Sequence, residues 1–403
     1  MIQVAIMGFG TVGSGVAEVI ARHSGSIAEK VATPIRLKYI LARHDYPDSP
    51  FRDLIVQDFS IIENDPEVEV VVETIGGVGA ALDYTRRALK AGKNVVTSNK
   101  ELVAEHGYEL LQLARRNNLN YLFEASVGGG IPIIRPISQC LAANSLTEIC
   151  GILNGTTNYI LTRMIRAGLP FDLALREAQE KGYAERDPSA DIEGRDACRK
   201  ICILASLAFG RHIYPRQADT EGITHIALED VRCAGEGGRK IKLLGRAMLR
   251  PDKKVCAYVA PHLVNQDSPL ANVEDVFNGI MVKGDAIGEV MFYGPGAGKL
   301  PTASAVVADV MDAARHMQSK KYLTWGPGGD DAAVSSDTVE TGWYIRGAFP
   351  EPKARRAFGE AHFLRREDAP AEETAFLTRP MTRPELLRRL GDLPAQSIIR
   401  VLN

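Results

Sequence analysis

The chain has 403 residues, and 48 Lys and Arg against 50 Asp and Glu give a formal net charge of −2. At about 150 residues per domain, this length favours two or three domains. The balanced charge argues against binding to nucleic-acid phosphates or an anionic membrane, so we expect neither partner, and 45% hydrophobic residues are typical of a globular chain.

Strands that alternate with helices are predicted over the first third of the chain. The predicted strands are 2–7, 35–42, 68–75, 94–97 and 119–123, and the predicted helices begin near Val12 and span 80–91. Short apolar runs separated by helical segments indicate a parallel sheet wound by right-handed crossovers. We place this first domain at about residues 1–130.

The pattern changes after about residue 131. Helices are predicted at 173–181, 196–209 and 303–316, and strands at 255–264 and 287–293. A glycine-rich stretch, 326–331, is interpreted as a linker. Beyond it we predict strands at 343–349, 374–377 and 397–402 and a helix at 383–390.

The six cysteines show neither a CxxC pair nor zinc spacing. Cys198 and Cys202 lie one helical turn apart beside apolar residues, which favours two buried thiols over a disulfide or metal pair. No signal peptide is visible, and the longest apolar run, 201–209, is far shorter than the roughly 20 residues that span a bilayer. We expect a reduced, cytoplasmic protein.

Three glycines at the first strand–helix junction have the spacing of a phosphate-binding loop. Gly8 permits a tight turn, Gly10 lets the backbone approach a pyrophosphate, and Gly13 allows close packing of helix on strand. The helix N-terminus would supply free amides and a partial positive charge. The alternative is a glycine turn without a ligand.

The end of the second predicted strand bears on the choice of dinucleotide. Arg43 would pair with a 2′-phosphate, which favours NADP, whereas Asp45 would accept from a ribose hydroxyl, which favours NAD. We predict NADP and keep NAD as the alternative.

Two lysines are candidate acid–base groups. Lys100 follows the predicted strand 94–97, at the sheet edge where such folds bind ligands, but it also fits a surface loop. Asp196 and Lys200 are four residues apart at the start of an apolar helix, so they share one helix face. An exposed ion pair is the plain alternative; a partly buried pair would tune the lysine for proton transfer.

The chain resembles the homoserine dehydrogenases in five blocks that occur in order. They are GFGTVG at 8–13, SNK at 98–100, GILNGTTNYIL at 151–161, GYAERDPSADIEGRDACRK at 182–200 and GPGAGKLPTASAVVAD at 294–309. The resemblance covers residues 1 to about 320. It implies NAD(P)-linked interconversion of L-homoserine and L-aspartate 4-semialdehyde, a step in threonine, methionine and isoleucine biosynthesis.

The same resemblance implies roles for individual residues. Lys200 would lie at the reacting oxygen, Asp196 would orient it, and Lys100 would be a second acid–base candidate. The implied substrate-binding residues are Glu185, Asp191, Asn154, Gly155 and Thr156. The implied dinucleotide-binding residues are Gly8, Phe9, Gly10, Thr11, Val12, Gly13, Arg43, Thr74, Ser98, Asn99, Lys100 and Gly298.

A loop with a monovalent cation, Na⁺ or K⁺, is also implied. The ligands would be the Glu124 side chain and the carbonyl oxygens of Val127, Gly129 and Ile131. A glycine-rich interdomain hinge is the alternative. The resemblance further leads us to expect a homodimer or a higher homo-oligomer.

The implied fold is α/β with three parts. They are a Rossmann-type nucleotide-binding domain at 1–130 to which 300–320 returns, an α+β substrate-binding and dimerisation domain at 131–300, and a small ACT-like α+β tail at 340–403. The segment 350–354 lacks the glycine-bearing turn that is usual in ACT domains. We therefore expect a shortened tail without an effector site and no inhibition by L-threonine.

Two other functions remain open on the residues alone. The same fold would serve a dehydrogenase of another small hydroxy or amino acid. A non-catalytic, nucleotide-sensing protein is the second alternative, and the presence of both Asp196 and Lys200 argues against it.

Overall fold

The structure is a computed structural model that describes residues 1–319 and 322–402. Two predicted domain boundaries, at residues 320 and 403, therefore lie outside the described residues. Two compact units make up the chain. The first contains Met1–Thr147, Cys202–Pro215 and Lys283–Ala332. The second contains Glu148–Ile201, Arg216–Val282 and the residues from Ala333 onward.

The elements are numbered in chain order. The strands are β1 (Ile2–Met7), β2 (Ile35–Leu41), β3 (Ile55–Val56), β4 (Val68–Glu73), β5 (Asn94–Thr97), β6 (Tyr121–Leu122), β7 (Leu146–Ile152), β8 (Asp219–Thr220), β9 (Arg239–Leu249), β10 (Val255–Asn265), β11 (Phe277–Gly284), β12 (Gly288–Pro295), β13 (Gly342–Ala348), β14 (His362–Leu364), β15 (Glu373–Leu377) and β16 (Ala395–Val401). The helices are α1 (Thr11–Arg22), α2 (Ser24–Val31), α3 (Phe59–Asn64), α4 (Gly79–Lys90), α5 (Lys100–Arg116), α6 (Gly155–Ala167), α7 (Phe171–Glu180), α8 (Ser189–Ile192), α9 (Arg195–Phe209), α10 (Leu228–Glu236), α11 (Lys299–Arg315), α12 (Glu351–Phe358) and α13 (Arg383–Leu390).

A parallel six-stranded sheet forms the centre of the first unit. Its strand order is β3-β2-β1-β4-β5-β6, and every neighbouring pair is parallel. β1, β4 and β5 are buried along nearly their whole length. Burial on both faces explains why these strands are mostly apolar rather than alternating apolar and polar residues. The predicted parallel sheet is confirmed, and its strands end at one common edge.

Long antiparallel strands form the sheet of the second unit. The order is β11-β7-β9-β10-β16-β13-β15-β14, with β8 beside β10. β9 and β10 pair in antiparallel register over eleven residues each, from Val255 opposite Leu249 to Asn265 opposite Arg239. The end of β7 carries the chain into α6, and this junction contributes to the site described below.

The tail contains a complete βαββαβ unit. Its elements are β13, α12, β14, β15, α13 and β16, and its strands lie in the order β16-β13-β15-β14. β16 also pairs in parallel with β10, where Arg400 lies opposite His262. The expectation of an α+β tail is confirmed, but the tail is not shortened, since all six elements are present. The segment 350–354, which lacks the glycine-bearing turn that is usual in ACT domains, lies at the start of α12.

Several elements differ from the sequence prediction. The predicted strand 119–123 is only the two-residue β6, and β7, α6, α10, β9 and β11 were not predicted. The stretch interpreted as a linker is bound within the first unit, because Gly326 donates its amide to Gly210 (2.8 Å) and accepts from the His212 amide (3.0 Å).

The cysteines and the helices bear on two further expectations. Cys198 and Cys202 are buried, and among the described residues no cysteine pair forms a disulfide. Within residues 1–319 and 322–402, the structure contains no helix with the length and apolar composition needed to cross a membrane.

A buried ion pair joins α10 to the tail sheet within the second unit. Asp230 is fully buried, and its Oδ1 accepts from Arg346 Nε at 2.7 Å and from the Tyr344 hydroxyl at 3.1 Å. The other carboxylate oxygen accepts from the Ala227 amide at 3.0 Å. Every polar group of this contact has a partner, so it fixes the tail sheet on α10.

We expect Asp230→Asn to lower the free energy of unfolding by about 3 kcal/mol, because it leaves the Arg346 guanidinium buried without its nearest carboxylate. Asp368→Asn is the control: Asp368 is exposed and pairs with Arg232 and Arg366, so its loss should lower the free energy of unfolding much less. Urea unfolding of both variants measures the difference, and equal losses would contradict the assigned role of the buried pair.

Candidate active site

The glycine loop between β1 and α1 is shaped by contacts that exclude side chains. Gly8 has φ +97°, and a Cβ there would lie 2.8 Å from the Thr74 carbonyl oxygen. A Cβ at Gly13 would lie 2.0 Å from the Gly8 carbonyl oxygen, whereas one at Gly10 would meet nothing within 4 Å. Gly8 and Gly13 therefore hold the turn closed, and the backbone at Gly10 is open to a phosphate group.

A cavity of about 370 Å³ opens at this loop. It is lined by Gly8, Phe9, Gly10, Leu41, Ala42, Arg43, His44, Tyr46, Gln57, Thr74, Ile75, Ala80 and Tyr84. Arg43 is an exposed lining residue, whereas the Asp45 carboxylate accepts from Gln57 Nε2 at 3.0 Å. The cavity, the glycine loop and the N-terminus of the twelve-residue α1 fit a dinucleotide.

Thr74 and Asn99 form hydrogen bonds that hold the loops after β4 and β5, two neighbouring strands of this sheet. The Thr74 hydroxyl lies 3.0 Å from the carbonyl oxygens of both Met7 and Gly8. Asn99 is the N-cap of α5 and accepts from the Leu102 amide at 3.1 Å. Lys100 is thus the half-buried first residue of a helix and not part of a surface loop. Ser98, immediately before the cap, is also half-buried.

Lys200 and Asp196 form a buried ion pair near the start of α9. The ammonium donates to Asp196 Oδ2 and to the Leu153 carbonyl oxygen, each at 2.7 Å. Lys200 is 8% exposed and Asp196 is 4% exposed. The plain alternative of a solvent-exposed pair is wrong. An ammonium this deeply buried is costly unless it is paired and hydrogen-bonded, as it is here.

Asn154 connects this pair to a second carboxylate. Its amide Nδ2 lies 2.7 Å from Asp191 Oδ1 and 2.9 Å from Asp196 Oδ2. Its Oδ1 caps α6 by accepting from the Thr157 amide at 2.9 Å. One side chain therefore fixes α6 and holds two carboxylates. The family resemblance implies that Asn154 binds substrate, but the sequence gives no sign of this bridging role, since its partners lie 37 and 42 residues away.

Asp191, Asp196, Asn154 and Lys200 form a carboxylate cluster. Its electrostatics depend on burial and on the proximity of the two carboxylates. Burial, with a smaller contribution from the nearby Asp196 carboxylate, raises the pKa of Asp191 above its usual value. The hydrogen bond from Asn154 opposes that rise. The cluster therefore holds concentrated negative charge beside one ammonium, which suits a substrate that carries its own ammonium group.

The remaining predicted substrate residues differ in their placement. The Thr156 hydroxyl donates to the Tyr183 carbonyl oxygen at 2.7 Å, and a Cβ at Gly155 would lie 2.6 Å from the Val276 carbonyl oxygen. Both lie in the first turn of α6, directly after Asn154. Glu185 has an exposed side chain, and its carbonyl oxygen accepts from Gln179 Nε2 at 3.2 Å.

The predicted cation loop lies in the first unit, and Glu124 is buried at its start. Its carboxylate accepts three backbone amides, from Ile133 (2.6 Å), Ile134 (2.8 Å) and Arg135 (2.9 Å). The carboxylate thus has a structural role whether or not a cation binds. Among the described residues, no cluster of three or more His, Cys, Asp or Glu side chains is arranged to bind a metal ion.

The parallel sheet with its glycine loop in the first unit, together with a buried Lys–Asp pair in the α+β second unit, defines an NAD(P)-dependent oxidoreductase. Comparison with known proteins specifies the family. Residues 8–124 match the family model for the homoserine dehydrogenase NAD-binding domain, and residues 132–311 match the homoserine dehydrogenase model. The chain belongs to the homoserine dehydrogenase family.

Individual relatives agree with this assignment. Homoserine dehydrogenase of Bacillus subtilis is 42% identical over 321 residues, which are 79% of this chain and 74% of that protein. A crystal structure of the Thiobacillus denitrificans enzyme has a TM-score of 0.89 at 34% identity and covers 100% of this chain and 98% of that one. A hyperthermophilic archaeal homoserine dehydrogenase in complex with NADPH has a TM-score of 0.66 at 28% identity, covering 77% and 97%. The chain is accordingly an oxidoreductase that interconverts L-homoserine and L-aspartate 4-semialdehyde with NAD(P).

We expect Asn154→Ser to lower kcat/KM about 10- to 100-fold, because it removes hydrogen bonds to two carboxylates. Serine still caps a helix well, so the thermal midpoint should change little. Steady-state kinetics and thermal unfolding measure the two effects. Asn117→Ser, which alters an exposed asparagine at the end of α5, is the control, and an unchanged kcat/KM in Asn154→Ser would contradict the bridging role.

Proposed function

We propose that Lys200 exchanges the proton with the substrate oxygen during the reaction. The observation that carries this proposal is the buried ammonium held at 2.7 Å by both Asp196 and the Leu153 carbonyl. These contacts fix the position of the Nζ atom, so that the ammonium can donate a proton to the aldehyde oxygen during reduction. In the reverse direction the neutral amine would take the proton from the substrate hydroxyl and become the ammonium again. Asp196 is then a positioning residue that keeps the lysine in one orientation.

The carboxylate cluster would bind the substrate ammonium. Asp191 and Glu185 are the proposed partners, and Asn154, Gly155 and Thr156 would form the adjoining wall at the first turn of α6. Asp191 is supported by its bond to Asn154, which also holds Asp196. Glu185 rests on the sequence resemblance alone. A pocket that pairs an ammonium with carboxylates would favour an amino acid over a simple hydroxy acid such as lactate or malate.

Bound NAD(P) supplies the hydride acceptor and donor. We propose that the residues of the first unit hold it: Gly8, Phe9, Gly10, Thr11, Val12, Gly13, Arg43, Thr74, Ser98, Asn99, Lys100 and Gly298. The glycine loop would bind the pyrophosphate through backbone amides. Lys100, the first residue of α5, would serve as a second acid–base or binding lysine.

We expect Lys200→Ala to abolish turnover and to leave NADPH binding nearly unchanged, because the lysine lies in the substrate cluster and not in the glycine loop. Homoserine-dependent NADPH formation at alkaline pH measures turnover, since oxidation releases a proton. NADPH fluorescence titration measures binding. Lys90→Ala, at the exposed end of α4, is the control, and full activity in Lys200→Ala would contradict the assigned mechanism.

NADP is the proposed physiological dinucleotide. Arg43 lines the cavity, and Gln57 holds the Asp45 carboxylate that would otherwise favour NAD. The archaeal relative solved with NADPH is consistent with this choice. A guanidinium can make paired hydrogen bonds to a 2′-phosphate, which NAD lacks.

Arg43→Ala should therefore lower kcat/KM with NADP by roughly tenfold or more and leave kcat/KM with NAD almost unchanged, because a charge-assisted contact to the 2′-phosphate is lost. Steady-state kinetics with the two dinucleotides measure the ratio. Arg36→Ala, an exposed arginine on β2, is the matched control. Undiminished use of NADP by Arg43→Ala would exclude this role.

Three further features are proposals that extend the family assignment. The carbonyl oxygens of Val127, Gly129 and Ile131 accept no backbone hydrogen bond within the described residues, which supports a site for Na⁺ or K⁺ with Glu124. A homodimer is the proposed assembly. The cytoplasm is the proposed location, on the basis of the biosynthetic reaction and of the absence of disulfides among the described residues.

A further inference from the structure

A fully buried carboxylate lies at the edge of the parallel sheet where the strands end, and the reaction does not use it directly. Glu73 is the last residue of β4 and has no exposed surface. Its Oε1 accepts from the amides of Ile75 (2.8 Å) and Gly76 (3.3 Å), which belong to the loop that continues from the cavity. The carboxylate therefore holds the turn that follows its own strand.

The second oxygen of Glu73 reaches the neighbouring strand. The Thr97 hydroxyl at the end of β5 donates to Glu73 Oε2 at 2.6 Å, and the same hydroxyl accepts from the Asn99 amide at 2.9 Å. Thr97 is also fully buried. The Thr97 hydroxyl thus links the Glu73 carboxylate to Asn99, the residue that precedes Lys100.

Asn99 links the loop that follows β4 to the N-terminus of α5. Its side-chain Nδ2 donates to the Gly77 carbonyl oxygen at 2.6 Å, while its Oδ1 caps α5. Two loops, 74–77 and 98–100, are therefore joined to each other directly by Asn99 and indirectly through Thr97 and Glu73. Gly76 and Gly77 both have positive φ, so this loop has little conformational preference of its own and depends on such bonds for its shape.

We propose that Glu73, acting through Thr97, is a positioning residue for the reaction: it sets the dinucleotide loop 74–77 and the N-terminus of α5, with Lys100, in one fixed relation. The inference rests on the proposed roles of Thr74, Ser98, Asn99 and Lys100. Glu73 itself touches neither substrate nor dinucleotide, so it is not a catalytic residue.

The chemistry of Glu73 argues against a purely structural role. Burial raises the pKa of Glu73, although its hydrogen bonds to Thr97, Ile75 and Gly76 oppose the rise. A buried carboxylate is no better for stability than a well-packed apolar residue. Its carboxylate orients two amide donors of the loop 74–77 and a third donor, the Thr97 hydroxyl, at the end of β5.

Thr97→Val and Thr97→Ser test the proposal as a matched pair. Valine keeps the shape of threonine and removes the hydroxyl, whereas serine keeps the hydroxyl. We expect Thr97→Val to lower kcat tenfold or more and to raise the Kd of NADPH, because small displacements of a binding loop can cost up to about 10²-fold in rate, while the KM of homoserine stays within about twofold. Thr97→Ser should restore both values to near those of the unmodified enzyme.

Thr374→Val is the control for the loss of a buried hydroxyl. Thr374 lies on β15 of the tail, is 7% exposed and donates to the Phe349 carbonyl oxygen. It should lose stability without a change in kcat or in NADPH binding. If Thr97→Val behaves like Thr374→Val, Glu73 and Thr97 are merely structural and the proposal is overturned.

Glu73→Gln provides a second route should Thr97→Val fail to fold. The amide preserves the size and can still accept from Ile75 and Gly76, but it presents a donor where Thr97 requires an acceptor. The same split between kcat, NADPH Kd and homoserine KM is expected, and its absence would refute the proposal. The Lys200→Ala result is independent of this outcome, so failure of the proposed chemistry and failure of the positioning role can be told apart.

Discussion

The ammonium of Lys200 is almost completely removed from water, and the second unit of the chain brings together the groups that make this possible. Burial of a charged group costs several kcal/mol unless it is paired and hydrogen-bonded. Asp196 supplies the charge, and the Leu153 carbonyl supplies a second acceptor. Because one partner lies on α9 and the other at the end of β7, the pair requires this strand and this helix to meet at one place. Substitutions at either end therefore affect the other.

Asn154 extends the same constraint to a second carboxylate and a second helix. A side-chain amide offers two donors and an acceptor, and here they are used for Asp191, Asp196 and the N-terminus of α6. Burial, with a smaller contribution from the Asp196 carboxylate, raises the pKa of Asp191, because the charged form is disfavoured in this site. Burial of such charge lowers stability, a cost that functional sites commonly carry.

The nucleotide-binding unit is also held together at its strand ends by hydrogen bonds between polar groups. Strand ends at the edge of its sheet are joined by polar side chains rather than by apolar packing: Thr74 bonds to the Met7 and Gly8 carbonyls, and Glu73 bonds through Thr97 to Asn99. Hydrogen bonds are directional, so they fix loop geometry more tightly than apolar contacts of similar area do. Thr74 and Asn99 were expected from the family resemblance, whereas Glu73 emerged only from its contacts.

The sequence by itself determined the features that depend on local spacing. Three glycines at fixed intervals, the buried runs of β1, β4 and β5, and the shared helix face of Asp196 and Lys200 all follow from neighbouring residues. The tertiary structure alone decided contacts between distant segments, such as Asn154 with Asp196 and Glu73 with Thr97. It also decided two elements that the local sequence pattern does not predict. The helix α6 starts within the sequence NGTT, which resembles a loop. The strand β9 carries Lys242, which is fully buried. That lysine is held by Asn158 Oδ1 at 3.0 Å and the Val273 carbonyl oxygen at 2.5 Å, and burial lowers its pKa to about 7. A charge becomes acceptable in a core only when the fold brings its partners to it, and no short stretch of sequence contains that information.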